Sequence, residues 1–263
     1  MEADLWLCHW WPTRFAVGTT SPCLVVLHGS DVDLLARLPA FVRRRLGRRL
    51  HCVAVADGVA ERFSGLTGQP KPPVLPLGAR ASAGEGDLGS EEARSWASSG
   101  GRRVLTVARD DRGKGWRTVE GAKSMLPDVA WLGLKPEHGV GPEGVRRLIA
   151  RADLVVVPSE GGAGVPTEGR PHVITQAMVA GVPVVGGPNA AVREALAQFG
   201  QLEVEESGCE SLAQGVRQAL EPTRHTILQD RAREAGLSLE WSNLAPKWRA
   251  FLREAGTRPG HQT

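Results

Sequence analysis

Short apolar runs alternate with amphipathic helical patterns along most of this 263-residue chain. The runs are rich in Val, Leu and Ala and show no polar alternation, which is typical of strands buried on both faces. Strands and helices in alternation predict an α/β fold built on doubly wound, mostly parallel sheets. The predicted strands are 23–28, 52–56, 104–108, 129–134, 154–158 and 182–185, and the predicted helices are 39–49, 57–67, 115–126, 142–151, 171–180, 190–199 and 210–220.

A segment rich in Gly, Ser, Ala and Glu separates two such alternating blocks, and it shows no sustained apolar period. We therefore predict a linker over residues 79–102. The block before it, 1–78, reads as a shortened Rossmann-like domain, and 103–222 reads as a second Rossmann-like domain. Residues 223–263 read as helices, with an apolar stripe that needs a surface to pack on. The stripe consists of Trp241, Leu244, Trp248, Phe251 and Leu252.

Composition narrows the class of protein. Hydrophobic residues make up 41% and charged residues 23%, as in soluble globular chains, so neither a disordered chain nor a membrane bundle is expected. The four cysteines, Cys8, Cys23, Cys52 and Cys209, are too scattered for a disulfide framework or a zinc site. A net charge of +3 is too small to predict a nucleic-acid partner. The first residues lack a secretory pattern, so we expect a cytoplasmic protein.

Two cations follow one of the predicted strands. In VLTVARDDRGKGW the strand ends at Ala108, and Arg109 and Lys114 stand on the loop beyond its carboxyl end. Ligands bind at that edge of doubly wound sheets. A guanidinium fork and an ammonium point charge there suit a diphosphate, and two solvated loop cations remain the alternative.

A second pattern of strand, Gly-rich loop and helix lies in VVVPSEGGAGVPTEGRPHVITQAMVAG. A buried strand runs into Pro158, and Glu168, Gly169 and Pro171 then open a helix. Proline suits a first helical turn, and glycine suits the position after the last turn. The free backbone N–H groups at such a helix start can bind a phosphate or a sugar hydroxyl.

A dinucleotide fingerprint also occurs once, as Gly139, Gly141 and Gly144 in GVGPEG. Its expected acidic residue, about 20 positions later at the tip of the next strand, is missing. A dehydrogenase is therefore a weak alternative, and a Gly-rich loop facing a ligand is preferred.

Together with VLHGSD, these windows resemble the family 4 nucleotide-sugar glycosyltransferases of GT-B fold, over about residues 4–255. The resemblance implies two Rossmann-like domains across a cleft, with the opening β-α-β portion of the first domain missing. It also implies that the C-terminal helices cross back towards the first domain. The implied activity is retaining, metal-independent transfer of a sugar from a nucleoside-diphosphate-sugar to an unknown hydroxyl acceptor, without a cofactor.

The same resemblance implies residue roles. Arg109 and Lys114 match the basic pair on the donor diphosphate, His28 and Glu168 match catalytic residues beside the transferred sugar, and Asp31 lines the acceptor side. Gln176 stands where the family motif has a second Glu for the ribose, and an amide there weakens donor binding. The remaining implied contacts are Gly169, Arg170 and Pro171 to the donor, and Val140 and Gly141 to the base.

The sequence leaves two kinds of partner open, a membrane surface and another protein chain. The segment FVRRRLGRRL predicts a helix with one basic side, which suits either a solvated face or peripheral contact with an anionic membrane at its inner face. A second class of function is a non-catalytic nucleotide-binding or partner-binding module, completed as a homodimer or by another chain. The arginines of the basic segment are Arg43, Arg44, Arg45, Arg48 and Arg49.

Overall fold

Parallel strands alternate with helices in both units of the computed structural model, which confirms the predicted α/β class. The first unit consists of the described parts of Met1–Leu77 and Ser242–Thr263, and the second consists of those of Gly78–Val165 and Pro171–Trp241. The structure describes residues 5–16, 23–81, 87–111, 113–161 and 171–257.

The first unit contains a three-stranded parallel sheet in the order β1-β2-β3. All five residues of the central strand are buried, because its sequence, CLVVL, is apolar on both faces. The core around this strand is closed by helices from the same unit. The elements are β1 (Trp6–Cys8), a 3-10 helix (Trp11–Ala16), β2 (Cys23–Leu27), α1 (Ser30–Ala36), α2 (Ala40–Gly47), β3 (His51–Ala54) and α3 (Asp57–Thr67).

The second unit contains a five-stranded parallel sheet in the order β5-β4-β6-β7-β8. Helices cover both faces of this sheet and form two apolar clusters, one on each side. The strands are β4 (Arg102–Val107), β5 (Val129–Leu134), β6 (Leu154–Val157), β7 (Val184–Gly186) and β8 (Leu202–Glu203). The helices are α4 (Glu91–Ala97), α5 (Trp116–Ser124), a 3-10 turn (Pro136–His138), α6 (Pro142–Arg151), α7 (His172–Val179), α8 (Ala190–Gln198), α9 (Cys209–Leu220) and α10 (Pro222–Leu239).

Helix α4 lies within the segment that the sequence predicts as a linker. The Ser90 side chain accepts the backbone N–H of Ala93 at 3.1 Å and so caps the helix. Trp96 is buried, and its indole donates to the Ala130 carbonyl at 2.9 Å. A seven-residue helix that buries two side chains is too short to show a helical period in the sequence.

The last helix, α11 (Trp241–Thr257), carries the predicted apolar stripe. Leu244 and Trp248 are buried in the first unit, and the Trp248 indole donates to the Pro76 carbonyl at 3.0 Å. The Phe251 ring meets the Trp248 ring edge-on, with centroids 6.5 Å apart. None of the helices in the described ranges is long and apolar enough to cross a membrane.

Candidate functional site

The strand order of the second unit defines one switch point. The chain runs from β4 outwards to β5 and then returns to the other side of β4 to form β6, so the winding direction reverses between β4 and β6. All strands are parallel, and their carboxyl ends therefore meet at one edge of the sheet. The crevice outside this reversal is where ligands bind in open α/β sheets.

The loops that follow β4 and β6 touch each other at this point. The Glu160 backbone N–H donates to the Gly113 carbonyl at 2.8 Å. Gly115 has a φ of +69°, and a Cβ added there would stand 2.2 Å from the Pro158 carbonyl oxygen. Only glycine fits this backbone conformation and this close approach, so the turn that follows Lys114 is fixed by the shape of the two loops.

A third loop reinforces this contact. Asn189, which follows β7, donates from Nδ2 to the Glu160 carbonyl at 3.1 Å and accepts the Ala191 N–H at 3.1 Å as the cap of α8. The Glu160 carboxylate accepts the Thr118 hydroxyl proton at 3.2 Å. A hydrogen-bond chain thus connects the loops after β7, β6 and β4, and none of its side chains is predicted from the sequence as part of the site.

Both predicted cations lie on the loop after β4. Lys114 is half-buried, and its pKa is lowered by burial and by the nearby Arg109 guanidinium, against an opposing effect of Asp111. Arg109 contacts the Asp111 carboxylate at 3.2 Å while 72% of its side chain stays exposed. The Trp116 indole donates to the Arg109 carbonyl at 2.9 Å and holds the start of the loop. Two neighbouring cations repel each other, and one of them is partly desolvated. A bound dianion would offset both costs.

The predicted base loop follows β5, at the outer edge of the sheet. The Val140 methyl groups lie against Gly89 and Gly144, where an added Cβ would come within 2.9 and 2.8 Å. Gly141 is exposed and precedes Pro142 at the start of α6. A ligand at this loop would therefore meet backbone rather than the Val140 side chain.

The GVGPEG motif stands after an edge strand, away from the reversal between β4 and β6, and this position argues against a dinucleotide-binding site.

The helix start predicted near Pro171 is described only from that residue onwards. Pro171 precedes the first turn of α7, and Gln176 is half-buried one turn further along. Glu168, Gly169 and Arg170 lie outside the described residues. Within the described ranges, no group of three or more His, Cys, Asp or Glu side chains could hold a metal ion.

In the first unit, His28 lies on the turn between β2 and α1, and Asp31 lies in the first turn of α1. Asp31 is 1% exposed, and its Oδ1 accepts the backbone N–H groups of His28, Gly29 and Val32 at 2.8 to 3.1 Å. Burial raises the pKa of this carboxyl, although the three N–H groups oppose the shift. The carboxylate shapes the turn that carries His28, and a direct contact with an acceptor stays a prediction.

A second histidine, His9, was not anticipated from the sequence. Its Nδ1 stands 3.1 Å from Nε2 of His28, and the two rings are stacked with centroids 5.3 Å apart. Each histidine follows one of two adjacent parallel strands, β1 and β2, which brings them to the same edge. The proximity of His9 to His28 depends on the pairing of β1 with β2, so no signal in the sequence alone locates His9.

Burial lowers the pKa of His28 from its ordinary value of 6.5, with Asp31 opposing and His9 adding to the shift. In the unfolded chain this imidazole binds a proton near pH 6.5, whereas in the folded chain it binds one only at lower pH. The contribution of His28 to the free energy of unfolding is therefore complete above about pH 6.5. It is lost as the pH falls towards the pKa of His28 in the folded chain, by at most about 1.4 kcal/mol per pH unit.

Urea unfolding of the wild type and of His28→Gln between about pH 7.5 and 5 tests this pH dependence. We expect the free energy of unfolding to fall less in the variant than in the wild type as the pH is lowered. The same fall in both proteins would contradict a lowered pKa of His28.

A sequence profile for the family described as Glycosyl transferases group 1 matches residues 105–222. No curated protein matches the sequence significantly. The fold is similar to that of sucrose-phosphate synthase from Thermosynechococcus elongatus, with 18% identity, a TM-score of 0.71, and coverage of 95% of this chain and 73% of that one.

Two further solved structures show the same similarity. Anabaena HepE in complex with UDP-glucose matches with 15% identity and a TM-score of 0.73, covering 95% of this chain and 79% of that one. An alpha,alpha-trehalose-phosphate synthase (UDP-forming) from Burkholderia vietnamiensis matches with 15% identity and a TM-score of 0.66, covering 94% and 74%. The predicted GT-B-like fold is thus confirmed: the chain has the α/β fold of the GT-B glycosyltransferases, and its profile match lies over the second unit, which carries Arg109 and Lys114.

Proposed function

We propose that this protein is a glycosyltransferase that moves a hexose-like sugar from a nucleoside-diphosphate-sugar to a hydroxyl acceptor. The observation that carries the proposal is the pair Arg109 and Lys114 at the reversal between β4 and β6, on a loop held by Gly115. The profile match over 105–222 and the fold similarity to UDP-glucose-bound and UDP-forming proteins support it.

The chemistry needs charge stabilisation more than it needs a nucleophile from the protein. The bond between the anomeric carbon and the diphosphate oxygen breaks, the acceptor oxygen forms a new bond to that carbon, and the acceptor proton passes to the departing diphosphate. Negative charge grows on the departing diphosphate, where Arg109 and Lys114 would hold it. Preorganised cations of this kind supply a large part of many rate enhancements. We propose retention of configuration and no metal, as the family resemblance implies.

The other residues keep roles within this proposal. His28 and Glu168 would stand beside the transferred sugar, the backbone of Gly169, Arg170 and Pro171 would contact its hydroxyls, and Asp31 would act through the turn that carries His28. Gln176 and the backbone at Val140 and Gly141 would meet the nucleoside.

The direct test incubates the full chain with a panel of UDP-, GDP-, ADP-, dTDP- and CDP-sugars and candidate acceptors, and measures release of nucleoside diphosphate. We expect one donor class to turn over, with the activity lost in Arg109→Ala and in Lys114→Ala. Turnover at the wild-type rate in both variants would contradict the diphosphate site. Saturable nucleotide binding without turnover for any acceptor would instead support the non-catalytic module.

The basic helix α2 suggests a peripheral membrane contact as a second proposal. Phe41 is 75% exposed, and Arg44, Arg45 and Arg48 follow it at spacings that share one helix face. Arg43 differs from them, because its guanidinium donates to the carbonyls of Ala36, Leu38 and Leu66 and is used within the fold. An exposed aromatic ring among cations suits the headgroup region of an anionic bilayer.

Vesicle sedimentation tests this contact with the full chain. We expect binding to phosphatidylglycerol vesicles but not to phosphatidylcholine vesicles. The double variant Arg44→Gln/Arg45→Gln should lose about 2 kcal/mol, roughly thirtyfold in affinity, at about 1 kcal/mol per cation. Arg224→Gln/Arg231→Gln, an equal change of charge at two exposed positions of α10, is the matched control. Equal binding to both lipids, or an equal loss in the control, would contradict a contact through α2.

A further inference from the structure

A cavity of about 320 Å³ lies beside α6 and α7, entirely within the second unit. Side chains of Arg80, Arg146, His172, Gln176 and Trp241 line it. Its volume falls at the lower end of the range for small-molecule sites, about 300 to 1,000 Å³. A single sugar-sized molecule would fill it.

The floor of the cavity is held by backbone hydrogen bonds. The Ala79 N–H donates to the Leu239 carbonyl at 3.0 Å, and the Ala79 carbonyl accepts the Trp241 N–H at 3.0 Å. From the side of α7, His172 donates from Nε2 to the Gly78 carbonyl at 3.2 Å. Arg80 therefore extends from a fixed stretch of chain, and a ligand would meet a preorganised wall.

The lining carries positive charge. Arg80 and Arg146 each contribute a guanidinium, and among the described lining residues none is acidic. The neighbouring carboxylate, Glu143, accepts from Nε of Arg146 at 3.0 Å and also lies 3.7 Å from Nε of Arg147, so one negative charge is shared by two cations. Net positive charge remains, and guanidinium groups form their strongest hydrogen bonds with phosphates and carboxylates.

Gln176 is a neutral residue in the wall of this positively charged cavity. A carboxylate at this position would stand in the same cavity wall as Arg80 and Arg146 and would neutralise part of their charge. The amide adds no second carboxylate to that of Glu143, so the wall keeps its net positive charge, and the NH2 of the amide adds two donors. Nucleoside binding alone gives no reason for such a lining, because ribose hydroxyls are neutral.

We propose that this cavity binds an anionic group, the phosphate or carboxylate of a sugar-sized ligand, through Arg80 and Arg146, with Gln176 as the residue that determines this preference. The proposal goes beyond the glycosyltransferase function and does not depend on Arg109 or Lys114. The group can belong to a separate molecule or to the nucleotide ligand itself.

Titration calorimetry of the full chain with ribose 5-phosphate and with ribose tests the proposal. Ribose 5-phosphate should bind at least about tenfold more tightly than ribose, because the phosphate adds charge-assisted hydrogen bonds. Gln176→Glu and Arg80→Gln should each weaken ribose 5-phosphate binding about tenfold. Arg224→Gln, on exposed α10, should leave it unchanged, and circular dichroism verifies that each variant is folded.

Equal affinities for ribose and ribose 5-phosphate, or an unchanged affinity in Gln176→Glu, would overturn the proposal. Repeating the ribose 5-phosphate titration in saturating UDP shows whether the anionic group belongs to the nucleotide ligand or to a separate molecule. Displacement by UDP assigns the cavity to the nucleotide ligand, whereas simultaneous binding assigns it to a separate molecule. If none of UDP, GDP, ADP, dTDP and CDP binds while ribose 5-phosphate does, the glycosyltransferase function fails and the cavity assignment stands.

Discussion

Gly115→Ala is expected to abolish nucleoside-diphosphate binding, with UDP as the probe, while the sheet of the second unit stays folded. The substitution places a side chain at a φ of +69°, which costs about 1 to 2 kcal/mol in an L-residue. It also places Cβ 2.2 Å from the Pro158 carbonyl oxygen, so the loops after β4 and β6 must separate. Lys114 precedes Gly115 directly and moves with it. Calorimetry with UDP and thermal unfolding measure the two effects separately.

Gly68→Ala is the matched control for this substitution. Gly68 has nearly the same φ, +70°, but an added Cβ there meets nothing within 4 Å. This variant should show the conformational cost of about 1 to 2 kcal/mol and keep its affinity for UDP. If Gly115→Ala also kept its affinity, the contact between the two loops would not be what positions Lys114.

Lys114→Ala and Arg109→Ala are expected to weaken UDP binding by about 2 to 3 kcal/mol each, roughly thirtyfold to 150-fold. Each removes a charged donor from the diphosphate, and the partly desolvated Lys114 should have the larger effect. Lys123→Ala removes the same charge from the exposed end of α5 and should leave the affinity unchanged. Similar losses in all three variants would point to a general electrostatic effect instead of a diphosphate site.

Much of the fold could be predicted from the sequence because most buried strands are continuous apolar runs. The predicted strand 129–134 coincides with β5, and the predicted helices 57–67 and 142–151 coincide with α3 and α6. The elements that the pattern missed are short. The strand β8 has two residues, and α1 and α4 have seven each, so they span too few turns or alternations to show a period.

The candidate site was predictable only in part. Arg109 and Lys114 were found because they follow a recognisable strand, and parallel strands place their carboxyl ends at one edge. The sequence does not reveal that β6 pairs with β4, so the contact of Gly115 with Pro158 and the Asn189 hydrogen bond to Glu160 could not be foreseen. The pairing of β1 with β2, which brings His9 to His28, is also a property of the folded sheet alone.

Calorimetric titration of the full chain with UDP, GDP, ADP, dTDP and CDP tests most directly whether a nucleoside-diphosphate site lies at the reversal between β4 and β6. We predict saturable binding of one diphosphate that weakens as the pH rises. Burial places the pKa of Lys114 below its ordinary value of 10.5, and deprotonation would remove one of the two charges proposed to hold the ligand. Lys114→Arg should bind without that dependence, because a guanidinium stays charged. A folded chain that binds none of the five diphosphates would contradict the claim.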